Sequence, residues 1–147
     1  MLLSRAVTRG MIERGQGATI NVASLLAFSG CARAPHSPQR AVNAATKAFL
    51  VTFTEILAAE LAGTGVKVQV VWSGVVRSEF HSRQGIDMSR IRMESDQIGT
   101  ASLSDLTRGV VVSIPATPND SAKARLDDAA SALLAVARSS ELPARYA

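Results

Sequence analysis

The chain has 147 residues, of which 47% are hydrophobic, 19% charged and 4% aromatic. This length and balance are typical of one globular domain and exclude a disordered or collagen-like chain. Sixteen lysines and arginines against twelve aspartates and glutamates give a formal charge of +4. The basic residues are spread along the chain without interleaved aromatic side chains, so we expect no nucleic-acid partner.

The chain carries a single cysteine, Cys31, so no internal disulfide can form. Residues 1–14 meet polar side chains too early for the apolar segment of a signal peptide. No run approaches the roughly 20 apolar residues that a transmembrane helix needs. These features predict a cytoplasmic location and no membrane partner.

The first half of the chain alternates between helical and strand-like patterns. Apolar residues at three- and four-residue steps predict a helix over residues 1–14, with glycines after it. Residues 18–23 are short, apolar and partly β-branched, which is typical of a buried parallel strand. Residues 29–40 contain a glycine and two prolines and predict a loop. Residues 41–62 are alanine-rich, and their apolar positions predict a long helix packed on two sides.

The second half repeats the alternation. Residues 66–72 predict a strand that runs into a turn at Ser73-Gly74, and a polar, irregular stretch follows. A helix over 95–107 contains Gly99, which costs about 1 kcal/mol relative to alanine. A strand over 110–114 follows. A last helix, capped by Asp120 or Ser121 and continuing to residue 138, completes the pattern, with an apolar face formed by Leu126, Ala130, Leu133 and Leu134.

This order of helices and strands predicts an α/β fold with a parallel sheet of about three strands, flanked by helices on both faces. In such sheets, ligands bind beyond the carboxyl ends of the strands. The candidate site residues are therefore Ser24, after the first strand, and residues 73–78, after the second.

Three motifs stand in this order: GATINVAS at 17–24, AVNAATKAFL at 41–50 and VVWSGVVRSEF at 70–80. Together they resemble the carboxyl-terminal half of a short-chain dehydrogenase/reductase, a family of NAD(P)-dependent oxidoreductases with carbonyl or alcohol substrates. The resemblance implies an incomplete Rossmann-like sheet. It also implies that residues 1–147 are a partial domain from which the amino-terminal, dinucleotide-phosphate-binding half is missing.

The resemblance also assigns roles to particular residues. Ser24 matches the family's catalytic serine and Lys47 its catalytic lysine, which also holds the nicotinamide ribose. The residues implied to bind NAD(P) are Lys47, Ser73, Gly74, Val76 and Ser78.

Asn43 stands where the family's Tyr-x-x-x-Lys motif has its tyrosine. The tyrosine hydroxyl is the family's general acid, which gives a proton to the carbonyl oxygen as hydride arrives. An asparagine carboxamide has no proton to exchange near neutral pH and is shorter than a phenol. We therefore expect the chain, truncated and without this acid, to be inactive by itself.

Other interpretations stay open. Ser24 could simply cap a turn, and Lys47 could be an ordinary exposed lysine. The chain could be a non-catalytic partner that forms homo- or hetero-oligomers through helices 1–14 and 41–62, or a degenerate gene product. Cys31, His36 and His81 lack neighbours at ligand spacing, so we predict no metal.

Overall fold

The computed structural model describes residues 2–30, 40–79, 83, 93–137 and 142–146. They form two compact units, residues 1–116 and residues 117–147. The first unit contains α1 (Leu2–Glu13), β1 (Gly17–Ser24), a 3-10 turn (Leu25–Phe28), α2 (Ala41–Glu60), β2 (Val66–Ser73), α3 (Ser95–Thr107) and β3 (Val112–Ser113). The second contains α4 (Ser121–Val136) and a 3-10 turn (Ala144–Tyr146).

The three strands form one parallel sheet in the order β1-β2-β3. β1 and β2 pair along their whole length, from Gly17 opposite Val66 to Ser24 opposite Ser73. This confirms the predicted α/β fold with a small parallel sheet. β3 is shorter than the predicted strand over 110–114, because the amide of Val110 still donates to Asp105 at the end of α3 and Pro115 has no amide to donate.

The core lies on the face of the sheet that α1 and α2 cover. Val70 and Trp72 of β2 pack with Ala23 of β1 and Val51 of α2 in one buried cluster. A second cluster lies nearer the amino-terminal ends of the strands and contains Leu61, Val66 and Val68, with Met11 of α1 packed against it. Removing this apolar surface from water is the main force that holds the helices on the sheet.

Among the residues that the structure describes, the long helix α2 packs on one side only, so the prediction that it packs on two sides is wrong. Its inner side contacts the sheet, where Asn21 of β1 donates to the fully buried Thr54 hydroxyl at 2.9 Å. Its outer side exposes Val42, Phe49 and Ile56, which are 78%, 53% and 57% exposed. By length and composition alone α2 could cross a membrane, as the core helix of many soluble folds could.

The opposite face of the sheet carries α3, which joins β2 through a buried polar network. Gln69 is fully buried, and its amide donates to the carbonyls of Ser102 at 3.1 Å and Val110 at 3.2 Å. The Ser102 hydroxyl donates back to Gln69 at 2.6 Å. These bonds, together with the Glu94 amide donating to Gln97 at the start of α3, explain why the helix forms despite Gly99.

Two glycine turns meet at the amino-terminal ends of β1 and β2. Gly65 has φ +79°, and a β-carbon there would overlap the carbonyl group of Gly15. Gly63 also has a positive φ, +81°, but a β-carbon there would point into open space. Gly65 is therefore required both for its backbone conformation and for the close approach of the two turns.

The second unit is dominated by α4, whose predicted apolar face is exposed: Leu133 and Leu134 are 68% and 66% exposed. Asp120 stands at the cap position, as predicted, but its side chain makes no capping bond. Instead, the Asn119 side chain accepts from the Ser121 amide at 3.0 Å. The side chain that caps the start of α4 is therefore that of Asn119, in an Asx-type turn, one residue before the usual cap position.

Candidate active site

A cleft of about 800 Å³ lies beyond the carboxyl ends of β1 and β2. Its walls come from the end of β1 with the following 3-10 turn, the first two turns of α2, and the residues after β2. All the residues predicted for the site lie around it: Ser24, Asn43, Lys47, Ser73, Gly74, Val76 and Ser78. The fold therefore brings together residues of three motifs, of which Ser24 and Ser78 are 54 positions apart in the sequence. The roles assigned to these residues stay predictions.

Ser24 and Ser73 join the two strands at the floor of the cleft. The Ser24 hydroxyl donates to the backbone carbonyl of Ser73 at 3.2 Å, and the Ser73 hydroxyl donates to the carbonyl of Ala23 at 3.1 Å. These two bonds connect the last residues of β1 and β2, where the two strands would otherwise separate. They hold the Ser24 oxygen at a fixed place in the cleft.

The Ser24 hydroxyl also accepts a hydrogen bond from the Leu26 amide at 3.2 Å, which caps the 3-10 turn. The turn-capping interpretation of Ser24 therefore describes the structure correctly, and it does not conflict with a place in the cleft. A serine hydroxyl has one proton, and here it is directed at the Ser73 carbonyl. To donate to a substrate oxygen, the hydroxyl must turn away from that carbonyl.

Lys47 is half-buried on α2, and its ammonium donates to the backbone carbonyl of Val22 at 2.9 Å. This contact reaches back across the cleft to β1 and fixes the direction of a long side chain. An ammonium has three N–H donors, so one bond to the protein leaves others for a ligand. Lys47 is thus positioned more firmly than an ordinary exposed lysine would be.

Asn43 lies one helical turn before Lys47 on the same side of α2, and both side chains line the cleft. Asn43 is half-buried, and its backbone carbonyl accepts from the Thr46 hydroxyl at 2.8 Å. The residue at the position that the resemblance assigns to the family's tyrosine is thus a carboxamide. Within the described part of the lining, no tyrosine, histidine or carboxylate is available to replace it.

Two walls of the cleft are apolar, and among their residues the sequence singled out Val76 but not Phe28 or Leu25. Phe28 lines the cleft and packs against Trp72, with ring centroids 4.4 Å apart. Leu25 and Val76 add aliphatic surface. The segment after β2 is held by a bridge in which the Arg77 amide donates to Met93 at 3.0 Å.

Arg40 also lines the cleft and was missed. It directly precedes α2, and hydrophobic periodicity does not reveal where a side chain outside a helix or strand points. In the sequence, the only feature that could have pointed to Arg40 is its position three residues before Asn43.

Among the described residues, no group of three or more His, Cys, Asp or Glu side chains could hold a metal ion. Cys31, His36 and His81 lie outside the described residues. The predicted lack of metal, nucleic-acid and membrane partners and the predicted cytoplasmic location all stay predictions.

A family model described as short chain dehydrogenase matches residues 1–88. The chain belongs to the short-chain dehydrogenase family. The match includes β1, α2 and β2, and so every predicted site residue. Together with the parallel sheet, it places the chain in this family by sequence and by fold.

Curated relatives match this chain over only part of their own length. An uncharacterized oxidoreductase from Myxococcus xanthus is 37% identical over 93 residues, which are 63% of this chain and 34% of the relative. An inactive 2-(S)-hydroxypropyl-CoM dehydrogenase 2 from Xanthobacter autotrophicus is 37% identical over 83 residues, 56% of this chain and 34% of the relative. This chain therefore spans about a third of the length of these curated relatives.

A solved short-chain dehydrogenase from Sphingobium yanoikuyae, in complex with NADPH, superposes with a TM-score of 0.83 at 30% identity. The superposition covers 98% of this chain and 55% of that structure. A ketone-specific alcohol dehydrogenase from Comamonas testosteroni superposes with a TM-score of 0.78 at 25% identity, covering 98% and 52%. The chain has the fold of about half of each enzyme.

Proposed function

We propose that this chain supplies the nicotinamide and substrate side of an NAD(P)-dependent oxidoreductase that acts on a carbonyl or alcohol group. The observation that carries the proposal is that Ser24, Lys47 and the residues after β2 surround one cleft at the carboxyl ends of two parallel strands. The similar Sphingobium dehydrogenase, which was solved with NADPH, supports the choice of cofactor.

The polar groups of the cleft suit the nicotinamide end of the cofactor. Lys47, held by the Val22 carbonyl, would donate to the ribose hydroxyls, and residues 73–78 would border the nicotinamide. Ser24 would orient the substrate oxygen once its hydroxyl leaves the Ser73 carbonyl. NAD(P)H, when bound, supplies the hydride.

We further propose that the 147-residue chain by itself turns over little or no substrate. Carbonyl reduction needs a proton at the oxygen, and general acid catalysis is worth about 10²–10⁴-fold in rate. The carboxamide of Asn43 cannot give that proton, and the described lining contains no other acid in its place. No glycine-rich phosphate-binding turn occurs in the sequence to hold the rest of the dinucleotide.

The test is a titration with NADPH, in which ¹H–¹⁵N NMR spectra report binding to the unmodified chain and to the variant Lys47→Met. We expect weak binding, about millimolar, that shifts the amides of residues 22–26, 43–47 and 73–78 and is lost in the variant. Lys67→Met is the matched control, since the Lys67 ammonium also binds backbone carbonyls, those of Leu106 and Thr107 at the other end of the sheet. Equal loss in both variants, or shifts elsewhere, would contradict the proposal.

A second candidate function is pairing with another short-chain dehydrogenase chain, either a second copy or a longer relative. The exposed apolar surface of α1 and α2 favours it. Val42, Phe49 and Ile56 recur every seven residues on α2, and Phe53 stacks on Phe49 with centroids 5.9 Å apart. On α1, Leu2 and Leu3 are 77% and 83% exposed. Contiguous apolar surface of this kind marks protein interfaces more often than solvent-facing sides.

A further inference from the structure

Arg40 is the second basic residue, besides Lys47, in the lining of the cleft. It is half-buried, and its guanidinium makes no hydrogen bond or ion pair with any described residue. Its backbone begins α2, where its carbonyl accepts from the Ala44 amide at 2.8 Å, but its side chain takes no part in capping the helix. The guanidinium thus has no structural task among these residues.

The charged side chains of the described cleft lining are all positive. The described lining contains Arg40 and Lys47 and no aspartate or glutamate. Arg77, the next basic residue along the chain after β2, does not line the cleft and pairs with Glu94 at 2.7 Å. Lys47 donates one bond to the Val22 carbonyl, whereas no described residue accepts a bond from the Arg40 guanidinium.

The surroundings of the cleft strengthen an ionic contact. Leu25, Phe28 and Val76 line it with apolar surface, and the attraction between opposite charges grows as water is displaced from such a surface. A guanidinium presents paired N–H donors that match the two oxygens of a carboxylate. The serine hydroxyls at the floor of the cleft suit a neutral oxygen on the same molecule.

We propose that the substrate is a small organic carboxylate that carries a hydroxyl or keto group, with its carboxylate bound to Arg40 and its reacting oxygen near Ser24. This inference rests on the proposed function and narrows its substrate class. An apolar substituent on the molecule would lie against Phe28 and Leu25. Arg40 is thus a specificity-determining residue, and it takes no part in hydride or proton transfer.

The test compares two nearly isosteric probes, mandelate, which is anionic, and mandelamide, which is neutral. Binding of each to the 147-residue chain is measured by ¹H–¹⁵N NMR titration at low salt. We expect mandelate to bind about tenfold more tightly, because a charged hydrogen-bonded pair in a half-open cleft adds roughly that factor. The preference should shrink as salt is added.

Three variants show whether Arg40 causes the preference for mandelate over mandelamide. Arg40→Gln should bind both probes equally, and Arg40→Lys should keep part of the preference because it keeps the charge without the planar fork. Arg9→Gln removes the same charge from exposed α1 and should leave the preference unchanged. Circular dichroism and urea unfolding show whether each variant remains folded.

Equal affinity for the two probes in the unmodified chain, no binding of either probe, or an unchanged preference in Arg40→Gln would each overturn the inference. NADPH binding is measured separately and distinguishes the two proposals. NADPH binding that depends on Lys47, without a preference for mandelate, overturns this inference and leaves the proposed function standing. A preference for mandelate that depends on Arg40, without NADPH binding, overturns the proposed cofactor binding and leaves the carboxylate site at Arg40 standing.

Discussion

Ser24 and Ser73 stand opposite each other at the carboxyl ends of β1 and β2, and the hydroxyl of each donates to a backbone carbonyl of the other strand. The same two residues that face the cleft thus also hold its floor together. Substitutions at Ser24 or Ser73 should therefore change both the free energy of unfolding and the geometry of the cleft.

Ser73→Ala removes one of these bonds and should lower the free energy of unfolding by about 1 kcal/mol, the usual net value of such a bond. Ser24→Ala removes a donor and also the acceptor for the Leu26 amide, so it should cost more than Ser73→Ala. Urea unfolding measures both. Ser78→Ala is the control, because Ser78 lines the cleft but is exposed, and it should be nearly neutral. Equal stability of all three variants would contradict this account of the cleft floor.

Gly65→Ala should be far more damaging than Gly63→Ala. Both residues have positive φ, and an alanine there costs about 1–2 kcal/mol. At Gly65 the new β-carbon would also overlap the backbone carbonyl of Gly15, and overpacking adds about 1–3 kcal/mol. Thermal unfolding compares the two variants. If Gly65→Ala were no less stable than Gly63→Ala, the close approach of the two turns would be wrong.

The Gln69–Ser102 pair should show strong energetic coupling. Gln69→Leu leaves the Ser102 hydroxyl, the buried Ser102 carbonyl and the part-buried Val110 carbonyl without their partner, and it should cost about 2–3 kcal/mol. In the double variant with Ser102→Ala, the loss should be clearly smaller than the sum of the two single losses. A double-mutant cycle by urea unfolding gives the coupling energy. Strict additivity would show that α3 does not contact β2 through this network.

Asn43→Tyr restores the family's residue next to Lys47. We nevertheless expect no measurable NAD(P)H-dependent carbonyl reduction by the 147-residue variant, because a proton donor does not compensate for weak cofactor binding. The assay follows NADPH absorbance with an aromatic ketone and with a keto acid, and Asn43→Phe controls for the added ring. Turnover by Asn43→Tyr and not by Asn43→Phe would show that the proton donor alone was missing.

If pairing through α1 and α2 is a function of the chain, Phe49→Asp should shift it from dimer to monomer in sedimentation velocity experiments. Phe49 is half-exposed at the middle of the apolar stripe on α2, and a charge there would be buried unpaired in a dimer. Leu103→Asp is the control, because Leu103 is 58% exposed on α3, on the opposite face of the sheet. A chain that is monomeric before substitution, alone and with a longer relative, would contradict the pairing proposal.

Much of the fold was predictable because local patterns and tertiary contacts agree. The alternation of helices and strands identified the parallel sheet, and α3 begins and ends at the predicted residues, 95 and 107. The strand ends needed more information. β3 pairs only near Val70 and Val71, and how much of an apolar run pairs depends on where the neighbouring strand and the preceding helix end.

The candidate site was predictable from the resemblance, which named its residues, and from the rule that ligands bind at the carboxyl ends of parallel strands. Arg40 and Phe28 were not, because their place in the cleft depends on the path of loops and turns. The exposed side of α2 was misjudged because an apolar helix face looks the same in the sequence whether it packs on its own chain or faces solvent.

The central claim is that the cleft beside Ser24 and Lys47 takes the nicotinamide end of the cofactor. The most direct measurement compares binding of reduced nicotinamide mononucleotide and NADPH to the 147-residue chain by ¹H–¹⁵N NMR titration. We predict that both shift the same amides, at 22–26, 43–47 and 73–78, with affinities within about threefold, because the adenosine half would contact nothing that this chain provides. Binding of NADPH with no effect of the mononucleotide, or mononucleotide shifts away from these residues, would contradict the account.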